Sequence, residues 1–485
     1  MRLLLFINIL FLLSACTTKH NDDLIKIFVS SAEGDRMTFR GNIRSQKDKT
    51  GTGSNFKIDT KVLYQTIDGF GASFNEAGMI CLNSLSPSKA DSVISALFDT
   101  LSGAGFSLMK APLAACDFSS AGMWYSYNDT PGDTLMTNFS IERDLKPDGI
   151  IPYIRLAKKH GNFKIHSTMD FPPVWMLYGL DRGKKHVKTE YYRALARYYG
   201  RYIKAYMAEG IRIDYLSPFN EPDNSWYTNV TYPEISDMIK HHIVPFFKAE
   251  GIEVKIQAGE TVTRSDGLKK LPLLLADRCL AAYISTVNVH GYDWNLHYAI
   301  DSLHKMFPDI PVWMSEVCYA TVSNNVPPGG PEEVPVYGFS DHLFWTEMII
   351  NDMKSGASGW IYWNMILDEN GGPWLFAPEY GNPDNNRQHP VVVINRRSGE
   401  IFFTGLYYSL AHFSRLVRPG ASRIGITSAN DKLNGCAFIN KDGTAVLVVL
   451  NKDREENKLK VSTGKMTFNY SLPPESTTTF VWKDK

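Results

Sequence analysis

Two glutamates are notable for where they fall. Glu221 lies in Ser217-Pro218-Phe219-Asn220-Glu221-Pro222 and Glu316 in Trp313-Met314-Ser315-Glu316, each just past a short apolar run. Two carboxyl groups converging on one ligand are what hydrolysis of a glycosidic bond requires. One attacks the anomeric carbon while the other protonates the departing oxygen, and a separation near about 5 Å gives retention through a covalent glycosyl-enzyme. Environment divides the roles: the acid needs a pKa raised by burial or a like charge, and the nucleophile must stay ionised among donors. Asn220, beside Glu221, is placed to bond a sugar 2-hydroxyl, a contact that strengthens in the transition state. A single glutamate of this kind is more often a solvated loop carboxylate or an ion-pair partner. Two of them, correctly ordered in a series of strands, favour the catalytic reading.

The elements that must position them are legible as a series. Short apolar or β-branched runs recur at 67–74, 106–113, 163–168, 215–219, 254–258, 284–289, 312–315 and 360–366, with helical stretches between, as at 190–209 and 341–354. Eight strands alternating with helices predict an α/β fold, a (β/α)8 barrel, whose chemistry gathers where strands end and βα loops begin. Glu221 then closes the fourth strand and Glu316 the seventh, on opposite sides of the mouth. Loops at 318–337 and 368–389 are expected to shape the ends of the cleft. Past about residue 400, runs at 423–426, 433–440, 445–450, 458–462 and 478–481, with Lys441-Asp442-Gly443 as a hairpin turn, predict a small antiparallel β domain.

The first residues read differently. Met1-Arg2 precedes an apolar run over 3–13 that ends in Leu13-Ser14-Ala15-Cys16. That is shorter than the roughly 20 residues a bilayer span needs and suits a signal peptide. Its ending resembles a bacterial lipoprotein signal, so Cys16 is expected to carry lipid and to hold an otherwise soluble body at the cell envelope, on the outer membrane. Membrane contact is expected through this anchor alone. The division expected is 1–16 signal, 17–56 tether and early strands joining the β domain, 57–400 barrel and 401–485 β domain.

Composition narrows the partners. Lys+Arg and Asp+Glu are both 51 in 485 residues, so no global field favours nucleic acid. The 44% hydrophobic content suffices for a large core, in which most of the 10 tryptophans are expected. Without Cys16, five cysteines remain with no CxxC spacing, and they read mostly as buried free thiols. His241-His242 and Asp368-Glu369-Asn370 lack convincing ligand spacing, so neither a metal nor another cofactor is expected.

Seven stretches in order are similar to glycoside hydrolase family 30, the group that includes lysosomal glucosylceramidase. They are Gln65-Thr66-Ile67-Asp68-Gly69-Phe70-Gly71-Ala72-Ser73-Phe74, Ala114-Ala115-Cys116-Asp117-Phe118-Ser119, Phe219-Asn220-Glu221-Pro222, Val289-His290-Gly291-Tyr292, Ser315-Glu316, Trp363-Asn364 with Gly371-Gly372-Pro373, and Leu410-Ala411-His412-Phe413-Ser414-Arg415. The resemblance implies a TIM barrel with a β-sandwich formed by C-terminal strands and an N-terminal strand. It implies Glu221 as acid/base and Glu316 as nucleophile, with Asp117, Asn220 and Trp363 in the innermost sugar subsite and His290 and Tyr292 around the nucleophile. Tyr292 is expected to donate to Glu316; His290 is read either as a structural hydrogen-bonding residue or as a sugar contact. Lys110 stands where the family commonly has Arg, and Asp170 where its glucosylceramidases have Trp. Both are expected at the substrate, and both set this chain apart from glucosylceramide specificity. The expected partner is a carbohydrate: a β-linked glucoside or β-glucan, β-1,6-linked glucan among them, with β-galactan, β-xyloside and β-fucoside as alternatives. A non-catalytic glycan-binding lipoprotein is the reading from another class, and it would predict loss of one of the two carboxylates.

Overall fold

The computed structural model describes residues 24–47, 53, 55–120, 125–180, 185–222, 224, 228–320, 339–373, 388–429 and 432–484. The expected signal at 1–16 with Cys16, and most of the two loops expected at the cleft ends, lie outside these residues. Eight parallel strands close into a barrel: β1 Gly69–Ser73, β2 Leu108–Pro112, β3 Lys164–Thr168, β4 Tyr215–Ser217, β5 Lys255–Thr261, β6 Ile284–His290, β7 Val312–Glu316 and β8 Ala357–Asn364. They follow one another round the barrel in chain order, with β8 pairing back onto β1. Almost every strand residue is buried, as a parallel sheet covered on both faces requires, and this is why the runs read as continuously apolar rather than alternating.

All eight expected runs are barrel strands. The helices expected between them are also present: α1 Tyr192–Ala208, preceded by a single 3₁₀ turn at Thr189–Tyr191, then α2 Arg264–Leu275 and α3 His342–Lys354. In α1, Leu195, Tyr199, Tyr202 and Tyr206 recur at helical spacing and are buried against the barrel. His241 and His242 fall in a helical segment, Met238–Ile243, where His241 bonds Asp237 one turn back.

Three strand ends at the mouth carry an extra residue. Gly259 pairs with Asn288 and Thr261 with Val289, leaving Glu260 over; Met314 pairs with Val289 and Glu316 with His290, leaving Ser315; Tyr362 pairs with Ala72 and Asn364 with Ser73, leaving Trp363. Such bulges re-aim side chains. The first depends on glycine, since Gly259 has φ +116 and a Cβ there would meet the Asn288 carbonyl oxygen at 2.2 Å.

The second layer is a ten-stranded sheet with its own core of Ile27, Phe56, Leu447, Phe468, Phe480 and neighbours. It is antiparallel except where Asn457–Ser462 runs parallel to Phe56–Thr66. Four strands come from the N-terminal side, Leu24–Ser31, Thr38–Arg44, Gln46–Lys47 and Phe56–Thr66, and the rest from 422–483. The expected boundaries need two corrections. Residues 57–66 are not barrel, because Phe56–Thr66 pairs along Ser422–Ser428. Strand Ile401–Phe403 pairs with Val392–Ile394, and helix α4, Gly405–Ser414, packs mainly against α3 and β1 while also touching the last strand of the β domain, so both belong with the barrel. Expected strands at 423–426, 433–440, 445–450, 458–462 and 478–481 are present, and Met466–Leu472 is an additional one. The five cysteines after Cys16 are free, and only Cys279 is exposed.

Candidate active site

Glu221 follows β4 and Glu316 ends β7. One carboxylate oxygen of each and a ring nitrogen of His290 all lie within 4.8 Å of one another. Each glutamate is 5% exposed, whereas Lys110, Glu260 and His290 are 0% exposed, so the pair meets solvent and the other three form a layer beneath it. Glu221 takes φ +42, in the left-handed region, and its N–H donates to the Glu260 carbonyl at 3.0 Å. Such a conformation costs about 1–3 kcal/mol and persists where the surroundings over-determine it. Here it turns the carboxyl out of the strand direction into the mouth.

Glu316 is held by two donors. Lys110 Nζ donates to Oε2 at 2.6 Å and the Tyr292 hydroxyl to Oε1 at 3.0 Å, as expected for Tyr292. Burial opposes the charge of Glu316, but the nearby charges of His290 and Lys110 outweigh it and leave the carboxyl below its usual range. Glu221 accepts from Asn224 Nδ2 at 2.6 Å on Oε2 and bonds His290 Nδ1 at 2.9 Å on Oε1. His290 spans Glu221 and Glu260, with Nε2 3.0 Å from Glu260 Oε2. Burial lowers its pKa, but the Glu316 charge and the bonds to Glu221 and Glu260 raise it to about 9.

This geometry decides between the two readings of His290 and corrects the sugar contact expected of Lys110. His290 has both ring nitrogens committed to carboxylates, so it is the structural histidine of the two readings. Lys110 spends its three N–H groups on Glu316, on Asn220 Oδ1 at 2.9 Å and on Glu260 at 3.3 Å, leaving none for substrate. Asn220, with its oxygen taken by Lys110, has its amide nitrogen to offer. Trp363, the extra residue of β8, lies with its ring centroid 5.3 Å from Lys110 Nζ and packs edge-on against Phe118. Burial, reinforced by the charges of Glu316 and Glu221, pushes Asp117 up to about 8, and burial pushes Asp170 well above the carboxylate range. In both, burial favours the protonated form, which can donate as well as accept. Asp170 is buried and neither of its oxygens has a hydrogen-bond partner.

Sequence reasoning missed Glu260. It bonds Lys110, His290, Ser315 Oγ at 3.2 Å and Asn288 Nδ2, and stands 3.3 Å from His166. Burial opposes its charge; Lys110 and His166 overcome this and hold it well below the usual range. The available signal was position: Gly259-Glu260-Thr261 ends the fifth strand as Glu221 and Glu316 end theirs, but the strand was read as stopping at 258. Asn224 and Asn288 were missed too. Two carboxylates and an imidazole would also serve as metal ligands, although here His290 is already bonded on both nitrogens.

A closed (β/α)8 barrel that gathers two glutamates at the C-terminal ends of opposing strands, beside a β domain, defines a class of glycoside-cleaving enzymes. The family comparison is more specific. The model of the glycosyl hydrolase family 30 TIM-barrel domain matches residues 67–417, and that of the family 30 beta sandwich domain matches 420–480. The chain belongs to glycoside hydrolase family 30 and is a glycoside hydrolase. It is 26% identical to the lysosomal acid glucosylceramidase of Mus musculus, over 90% of this chain and 85% of that protein. It is also 26% identical to an endo-1,6-beta-D-glucanase of Neurospora crassa, over 80% and 79%. The crystal structure of SrfJ from Salmonella typhimurium superposes with a TM-score of 0.84 at 26% identity, covering 95% of this chain and 100% of that one.

Proposed function

We propose that the chain is a retaining glycosidase acting on β-linked glucosides or β-glucan, with β-1,6-linked glucan as first choice, and with Glu316 as nucleophile and Glu221 as acid/base. The observation that carries this reading is the carboxylate spacing. Oxygens of the two glutamates within 4.8 Å of one another fit the separation of about 5–5.5 Å used for retention. Inverting enzymes leave about 6.5–9.5 Å, which makes room for a water.

The surroundings support Glu316 as the nucleophile, and Glu221 takes the acid/base role that the family resemblance implies. Glu316, kept ionised by His290 and Lys110 and held in place by Tyr292, attacks the anomeric carbon; Glu221 gives its proton to the glycosidic oxygen, and the leaving group departs. Glu221, now a carboxylate, takes a proton from water, whose oxygen attacks the anomeric carbon and returns Glu316 to its charged state. Asn220 Nδ2 is positioned for a sugar hydroxyl, Trp363 supplies an apolar face for the ring, and Asp117 and Asp170 offer carboxyl groups to hydroxyls. A glucosyl unit is supported by the names of both relatives, one a glucosylceramidase and the other a glucanase. A glucan is preferred to a sphingolipid because Asp170 replaces the ring the family's glucosylceramidases carry. The enzyme is read as exported and anchored at the cell envelope through lipid on Cys16, so Cys16→Ala should release it from membranes.

The test is hydrolysis of aryl β-glycosides and purified β-glucans, including galactan and xylan, by wild type, Glu316→Gln and Glu221→Gln, with proton NMR of the first anomer formed. Retention by the wild type and loss in both variants is expected. An inverted first product, or robust turnover by Glu316→Gln, would overturn the mechanism. Binding without cleavage of any glycan would favour the binding-protein reading.

A further inference from the structure

We propose that Glu260 is a positioning residue, which ties Lys110 and His290 to one carboxylate and so keeps both cations in place against Glu316 and Glu221 while the charges of that pair change. The proposal rests on the roles given above to Glu221 and Glu316.

Glu260 is beyond the reach of substrate, being 0% exposed. Its Oε2 accepts from Lys110 Nζ at 3.3 Å, from His290 Nε2 at 3.0 Å and from Ser315 Oγ at 3.2 Å, while Oε1 accepts from Asn288. Its carbonyl receives the Glu221 N–H. One residue thus touches both cations through its side chain and the acid/base through its backbone. It reaches this place as the extra residue of the β5 bulge, at φ +52 directly after Gly259. Conformations of this kind collect where function fixes a side chain's aim.

An ordinary buried ion pair would explain Lys110 alone. The reaction needs more. When Glu316 becomes an ester it loses its charge, and Lys110, 2.6 Å away, loses its nearest anion. Glu260 keeps its own charge, so the ammonium has a partner throughout. When Glu221 gives up its proton, a new carboxylate faces His290 Nδ1 at 2.9 Å. A histidine held cationic by Glu260 at Nε2 already has the Nδ1–H that this carboxylate needs, without reorganisation. The groups facing Glu260 are Lys110 on β2, His166 on β3, Glu221 after β4, His290 on β6 and Glu316 on β7, with Asn288 and Ser315 as neutral donors. Asp117 and Asp170 act on Glu316 and Lys110 from the loops after β2 and β3.

The experiment compares wild type, Glu260→Gln and the milder Ser315→Ala by NMR titration of the His290 imidazole, assigned with His290→Gln, and by pH-dependent kinetics on an aryl β-glycoside. Glu260→Gln is expected to lower the His290 midpoint by about one pH unit or more. It should also lower kcat about 10- to 100-fold with KM within about twofold, and move the alkaline limb of kcat to lower pH. Ser315→Ala should shift both in the same direction by less, and it decides the matter if Glu260→Gln does not fold. An unmoved His290 midpoint, or a kcat profile that superposes on wild type, would overturn the proposal. A wild type that hydrolyses nothing would sink the glycosidase roles instead, and the imidazole titration would still report whether Glu260 holds His290 cationic.

Discussion

At Lys110 every ammonium N–H is spent inside the protein, so its value to the enzyme lies in what it does to Glu316. Burial acts to raise the Glu316 carboxyl, and His290 and Lys110 hold it below the usual range. Removing one of the two cations, in Lys110→Met, therefore raises it. The acid limb of kcat/KM should move up by about one pH unit or more, with kcat reduced about 100-fold; a limb that stays in place would mean that His290 alone keeps the nucleophile ionised. Asp170 makes the opposite case. Its two buried oxygens have no hydrogen-bond partner, and an unsatisfied buried polar group costs about 1–3 kcal/mol. Asp170→Leu, close in size, should leave the melting temperature unchanged or higher while raising KM about tenfold. A drop in melting temperature would show that the carboxyl stabilises the free enzyme and is not held in reserve for substrate.

The elements that present these side chains are braced from behind. Arg264, at the start of α2, is 0% exposed and bonds both Asp352 oxygens, at 2.9 and 2.7 Å, together with the Gly291 carbonyl and Asp293 in the loop after β6. His297 and Trp360 also bond Asp352, so α2, α3, β8 and the β6 loop share one charge cluster. Asp352→Asn leaves Arg264 short of its counter-charge and should cost about 3–5 kcal/mol in denaturant unfolding at neutral pH. Burial acts to raise the Asp352 carboxyl, but Arg264 and His297 hold it at about 2. Because the folded-state value is depressed, the stabilisation is fully present above the unfolded value of about 3.9 and is lost as pH falls from there through about 2. The variant should therefore approach wild type in stability below pH 3; an equal gap at pH 6 and pH 3 would mean that the carboxylate charge is not what matters. At this scale the sequence was most and least legible. A strand buried on both faces has a run of apolar residues, so all eight were visible along with Glu221 and Glu316 at their ends. Bulges leave no trace in that pattern, since one extra residue at a strand end looks like loop. That is why β5 was read as stopping at 258 and Glu260 was missed, and why His290 could not be assigned until Glu221 and Glu260 were seen on its two nitrogens.

On the scale of the whole molecule, the β domain holds the beginning and the end of the described chain in one sheet. Leu24–Ser31 lies between Thr38–Arg44 and Ser476–Lys483, and Phe56–Thr66 lies against Ser422–Ser428, which is why a boundary at 57 cut through a strand. Polar bonds then tie the sheet to the barrel. Gln65 donates to the Met353 and Ala357 carbonyls and accepts from Arg423, while His412 of α4 bonds Thr479 and Ser30. His412 has its pKa driven down to about 3 by burial, so it stays neutral and can donate on one nitrogen and accept on the other. A chain ended after residue 417 would keep every barrel strand and both catalytic glutamates. It would also leave four N-terminal strands with open edges and uncover the apolar face that packs beneath them. Such a truncation should be recovered mainly as aggregate. The full chain, with its hydrogen bonds crossing the joint, should melt in a single calorimetric transition. Two resolved transitions, or a soluble truncated barrel with wild-type kcat, would show that the β domain is an appendage; a single transition would mean that the catalytic mouth depends for its stability on strands far from it in sequence.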